Sequence, residues 1–129
     1  MARVLVVEDD FDAREAIAAR LREAKHRVVT AHDATAALAM VKQIGSPDVY
    51  VVDVGLPSMD GYEFVRRATA GERSVPTVYL TRRSAFRTQG EQPGETFLIK
   101  PVPTRDLLDT IQTLIDQKVA ESGQLDPGW

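Results

Sequence analysis

The chain has no cysteine, few aromatic residues and no long apolar run, and each shortage removes a class of function. Without a thiol there is no thiolate nucleophile, no dithiol redox centre and no Cys-based zinc site. Cations are also in the minority, with 16 Lys and Arg against 19 Asp and Glu and a net charge of -3. A nucleic-acid-binding surface needs a basic stripe to displace counterions, so direct contact with nucleic acid is not expected. No apolar stretch reaches the roughly 20 residues of a membrane span. The start, a single Arg3 leading into β formers, does not resemble a signal peptide. The expectation is a cytoplasmic protein without a membrane segment, and 129 residues suffice for one domain that buries a core without disulfides.

What is present is organised around Val49 to Gly61. Val49, Tyr50, Val51, Val52 and Val54 surround a single carboxylate, Asp53, before the run breaks at Gly55, Pro57 and Gly61. A short apolar run closed by Gly and Pro reads as a central strand of a parallel sheet, and such sheets carry their sites at the carboxyl ends of the strands. Asp53 stands at that end.

The rest of the chain repeats the theme. Arg3 to Val7 reads as a strand ending in Glu8, Asp9 and Asp10. A helix follows with Ala13, Ile17, Leu21 and Ala24 on its inner face, and Asp10 or Asp12 complements its dipole. Arg27 to Ala31 is a short strand flanked by His26 and His32, both read as surface residues. Asp33 caps a helix that buries Ala37, Leu38, Val41 and Ile44 before Gly45-Ser46-Pro47. Tyr62 to Ala70 is helical with Phe64 or Val65 inward, and Gly71 closes it. Val75 to Leu80 is a fourth strand ending at Thr81, and Phe97 to Ile99 a fifth ending at Lys100-Pro101. Between them, Arg82 to Glu95 is broken by Gly90, Pro93 and Gly94, so any helix there is irregular or short. Thr104 caps a last helix with Leu107, Leu108, Ile111, Leu114, Ile115 and Val119 inward. The domain is expected over residues 1–121, with 122–129 a tail or truncated linker. Strands alternating with helices predict an α/β fold, a doubly wound parallel sheet covered on both faces.

In such a sheet Glu8, Asp9, Asp53, Thr81 and Lys100 all lie at one end. Three carboxylates in a partly buried pocket raise one another's pKa unless a cation joins them. A hard divalent ion such as Mg2+ is the natural neutraliser, with Lys100 adding a further positive charge. Asp53 can then stay ionised as a nucleophile while the cation, Lys100 and the Thr81 hydroxyl stabilise an incoming phosphoryl group.

The motifs V-L-V-V-E-D-D, V-V-D-V-G-L-P-S-M-D-G, P-T-V-Y-L-T and F-L-I-K-P-V, in this order, resemble the response-regulator receiver domains of two-component signalling. The resemblance implies a flavodoxin-like five-stranded sheet in the order 2-1-3-4-5. It makes Asp53 the phospho-acceptor, and it assigns Mg2+ to Asp9 directly, to Glu8 through water, to Asp53 and to the Gly55 carbonyl. Thr81 becomes the switch hydroxyl, Phe97 the switch aromatic behind it, Lys100 the ion-pair partner and Lys100-Pro101 a cis peptide. The implied donor is a phosphohistidine on a sensor histidine kinase or phosphotransfer protein. The output passes to an unknown downstream protein, with a weak homodimer possible through the last helix. The implied chemistry is self-phosphorylation and self-dephosphorylation, without turnover of a diffusible substrate.

Three other readings compete. Arg82, where a small residue is usual in the family, with Arg83 beside it and the irregular segment after them, fits a pseudo-receiver that binds partners without phosphorylation. A Mg2+-dependent phosphatase or transferase using Asp53 lacks a second acid two residues on, where Gly55 stands. A nucleotide or flavin site lacks a Gly-rich phosphate loop after the first strand.

Overall fold

The computed structural model describes residues 2–70, 75–82 and 94–123. In chain order the elements are β1 (Arg3–Val7), α1 (Phe11–Glu23), β2 (Arg27–Ala31), α2 (Ala34–Ile44), β3 (Val49–Asp53), α3 (Gly61–Ala68), β4 (Thr77–Thr81), β5 (Glu95–Ile99) and α4 (Thr104–Ser122). All five strands are parallel and ordered β2-β1-β3-β4-β5. This is the flavodoxin-like sheet that the motifs imply. Of the segment Arg82 to Glu95 read as irregular, residues 83–93 lie outside the described residues, as do residues 124–129 of the expected tail, while Glu95 already belongs to β5.

Strand alternation builds two cores. Val4, Val6, Val49, Val51, Val78 and Leu80 face Leu21 of α1 and Leu107, Ile111 and Leu114 of α4. The intervening residues Leu5, Val7, Tyr50, Val52, Tyr79 and Phe97 face Ala34 and Ala37 of α2 and Phe64 of α3. Burying each such Val, Leu or Phe contributes about 1.5–3 kcal/mol. The inner strands β1, β3 and β4 are covered on both sides, and for that reason they read as continuous apolar runs.

Aspartates start three of the helices: Asp10 accepts from the Ala13 amide, Asp33 from Ala36 and Asp60 from Glu63. Each such cap is worth about 1 kcal/mol. The last helix differs from its expectation. Pro103 occupies the cap position without a side-chain bond and Thr104 is already helical, because a proline before the first turn presets its backbone without supplying an acceptor.

Other boundaries shift for local reasons. The inner face of α2 is Ala34 and Ala37, with Leu38 and Val41 half-buried, while Ile44 is 42% exposed in the last turn, beyond the sheet's cover. In α1, Ala18 is fully buried beside Leu21, whereas Ala13 and Ala24 are only half-buried. The α3 helix ends at Ala68 with Thr69 as its C-cap, so it stops short of Ala70. Strand β4 starts at Thr77 and β5 at Glu95, since pairing with a neighbour extends β5 beyond its apolar residues. His26 is not a surface residue: its ring is half-buried and Nδ1 accepts from the Ala2 amide at 3.4 Å. No helix among the described residues is long and apolar enough to cross a membrane.

Candidate functional site

The parallel order brings the carboxyl ends of β1, β3, β4 and β5 to one edge. Glu8 follows β1 and is 1% exposed, Asp53 ends β3 at 8%, and Asp9 is open to solvent. One carboxylate oxygen from each of Glu8, Asp9 and Asp53 lies within 4.8 Å of the other two. Lys100, at the end of β5, reaches across: its Nζ lies 2.9 Å from Glu8 Oε1 and 3.2 Å from Asp53 Oδ2. Gly55 donates its amide to Asp53 Oδ1 at 3.1 Å, which places this residue beside the cluster.

The electrostatics follow from the count of charges. Burial pushes Glu8 up to about 7, against the hydrogen bond from Lys100, and the charge of Asp53 adds to the rise. Burial alone would lower Lys100, but its hydrogen bond to Glu8 and the charges of Glu8 and Asp53 outweigh it and hold the ammonium above its usual value. One ammonium against three carboxylates leaves surplus negative charge in a partly buried pocket. An all-oxygen donor set with that surplus fits a hard divalent cation.

Thr81 and Phe97 sit on the neighbouring strands β4 and β5. Thr81 is buried at the end of β4, and its hydroxyl donates to the Arg82 carbonyl at 3.0 Å. Phe97 is buried on the α2–α3 side, opposite Tyr79 in the β4–β5 register. Its ring stacks on Tyr79 at 5.0 Å and lies 6.0 Å from Tyr62 of α3, with Tyr62 and Tyr79 themselves 4.9 Å apart. The Lys100–Pro101 bond is cis.

Two features went unread in the sequence. Arg14, in the first turn of α1, sends Nη1 to the Glu8 backbone carbonyl at 3.0 Å and lies over the Phe11 ring at 5.4 Å. Its position one turn into the helix that follows the acidic pair was the available signal. Tyr62 and Tyr79 sat inside an expected helix and strand, and only the fold brings their rings onto Phe97.

The model of the response regulator receiver domain matches residues 4–112. The chain belongs to this family. Receivers of this family are the signal-accepting domains of two-component response regulators. The chain is 30% identical over 128 residues to the virulence transcriptional regulatory protein PhoP of Salmonella typhimurium, covering 97% of this chain and 57% of that protein. It is 28% identical over 116 residues to the transcriptional regulatory protein YbdJ of Bacillus subtilis, covering 88% of this chain and 51% of that protein. This receiver chain thus spans little more than half the length of the curated relatives it matches. Among solved structures, the chemotaxis protein CheY4 of Vibrio cholerae is 31% identical with a TM-score of 0.78, over 88% of this chain and 98% of that one. A receiver domain protein from Clostridium thermocellum superposes with a TM-score of 0.80 at 25% identity, over 92% of this chain and 97% of that one.

Proposed function

We infer that this receiver takes a phosphoryl group from a phosphohistidine onto Asp53 in a Mg2+-dependent reaction and uses it to switch partner binding. The observation that carries the reading is the bridge of Lys100 Nζ to both Glu8 and Asp53 beside Asp9. A lone strand-end Asp that merely closes a loop has no need of two further acids and a half-buried lysine.

A carboxylate oxygen of Asp53 attacks phosphorus, the P–N bond to the donor imidazole breaks, and the ring nitrogen keeps the electron pair. Asp9, Asp53, the Gly55 carbonyl and, through water, Glu8 would hold Mg2+, whose chemistry here is to neutralise charge on the phosphoryl oxygens. Lys100 already touches an Asp53 oxygen and supplies a fixed positive charge to the transferred group. The Thr81 hydroxyl exchanges the Arg82 carbonyl for a phosphoryl oxygen. Phe97, held between Tyr79 and Tyr62, then repacks and changes the surface around β5. The chain acts on itself and not on a diffusible substrate. Its donor is a sensor histidine kinase or phosphotransfer protein, and its output lies in a cytoplasmic partner or a further domain.

Incubation with a small phosphodonor and Mg2+, read by intact mass, should add one phosphate to the chain and none to Asp53→Asn. Absence of the added phosphate with every donor, or its persistence in Asp53→Asn, overturns the reading.

A further inference from the structure

Beside the acceptor cluster, a cavity of about 570 Å³ opens between α1 and the start of α4. Its floor is apolar, made by Ile17 of α1, Leu80 of β4, Val102 and Leu107. It stays open because α1 turns Ala13 and Ala16 toward it, and a methyl group at each position leaves the space that a longer side chain would fill. Two guanidiniums stand along the lining. Arg20 comes from α1 and, among the described residues, pairs only with the exposed Glu23 at 3.6 Å. Such a solvated pair is worth little and opens easily. Arg82 is exposed after β4 and has no ion-pair partner among the described residues. The remaining charged lining residues, Glu8 and Lys100, already pair with each other at 2.9 Å. In a chain of net charge -3, this groove therefore presents two available cations over an apolar floor.

We propose that this groove binds a small amphipathic anion, an apolar body of aromatic or short acyl size carrying one carboxylate, sulfonate or phosphate. The body lies on Ile17, Val102 and Leu107, and the head sits between Arg82 and Arg20. The volume is that of a small-molecule site. An extended peptide gains little here, since Glu8 and Leu80 belong to the ends of inner strands and offer no free sheet edge to pair with. Arg82, which replaces the small residue usual after the switch threonine, thus acquires a ligand-facing role away from the phosphoryl group.

The test is a titration of the full chain with 8-anilinonaphthalene-1-sulfonate, followed by 15N–1H correlation spectra. The expected shifts concentrate on the backbone amides of Ala13 to Arg20 and of Val102, Thr104 and Leu107. Affinity should fall about tenfold or more in Arg82→Ala, in Ala16→Leu and for the uncharged N-phenylnaphthylamine. Arg82→Ala changes an exposed side chain and keeps the test decisive even where Ala16→Leu disturbs the fold. Shifts spread over the surface, affinity unchanged in Arg82→Ala, or equal binding of the uncharged probe overturns the proposal. A Glu- and Leu-rich amphipathic peptide that displaces the dye and binds more than about tenfold tighter also overturns it, in favour of a protein interface.

Discussion

Gly61 packs directly on the backbone of Asp53: a Cβ at position 61 would lie 2.6 Å from the Asp53 carbonyl oxygen and 2.8 Å from Val52 Cγ1. The Gly61 amide also donates to the Val54 carbonyl at 3.0 Å, so the first residue of α3 is stitched to the strand end that carries the acceptor. In an exposed helix interior, alanine would gain up to about 1 kcal/mol over glycine. Here the obstacle is backbone that cannot swing aside, and overpacking of this kind costs about 1–3 kcal/mol. Gly61→Ala should therefore lower the urea midpoint and slow phosphorylation of Asp53 together. A variant at least as stable as the parent would show that the α3 junction yields freely.

At the opposite end of the sheet, Arg3 Nε and Nη2 grip Asp48 at 3.1 and 2.9 Å, and Lys118 of α4 approaches Asp48 Oδ1 at 3.7 Å. Burial works against the Asp48 charge, but the side-chain and backbone hydrogen bonds of Arg3 and the charges of Arg3 and Lys118 prevail and hold its pKa below 3.8. A carboxylate depressed in the folded state stabilises above its unfolded pKa, and that contribution disappears as pH falls through the folded value. Asp48→Ala removes the buried carboxylate that Arg3 and Lys118 both face, so it should cost about 3–5 kcal/mol at neutral pH. In urea unfolding, the gap between the parent and the variant should narrow in acid. A gap that stays constant with pH would mean that lost packing, and not charge, is what Asp48 supplies.

What could be read from residue order differs between fold and site. The continuous Val-rich runs of β1 and β3 are legible because strands covered on both faces leave no alternation to misread, and Asp33 announces its helix by its own side chain. Glu8, Asp9, Asp53 and Lys100 could be placed at one edge because parallel strands put all their carboxyl ends there. Contacts made only by tertiary packing were not legible. Arg14 looks like any solvated helix arginine until the β1–α1 turn brings the Glu8 carbonyl to it. The Arg3–Asp48–Lys118 group joins positions from β1, the start of β3 and α4, and no local pattern pairs them. Thr104 was read as a cap from its type, whereas Pro103 had already taken that position.

The most specific pH signature belongs to Glu8. Its pKa rises from 4.5 in an unfolded setting to about 7 in the fold, chiefly through burial and further through the charge of Asp53, with Lys100 opposing. Between those two values the native chain holds a proton that the unfolded chain has lost. This contribution to stability is therefore fully present below 4.5 and is lost as pH rises through about 7. A divalent cation at the Glu8–Asp9–Asp53 cluster favours the ionised carboxylate and has to displace that proton. Mg2+ affinity measured by calorimetry should consequently climb about tenfold per pH unit below the Glu8 pKa, the slope for one displaced proton, and flatten above it. Glu8→Gln should bind Mg2+ more weakly at high pH and lose this step. The variant should also abolish the metal-free decline in stability across the same range, because it carries no titrating group there. A parent whose Mg2+ affinity is flat through pH 7, or a step that survives in Glu8→Gln, would move the proton to another group of the cluster.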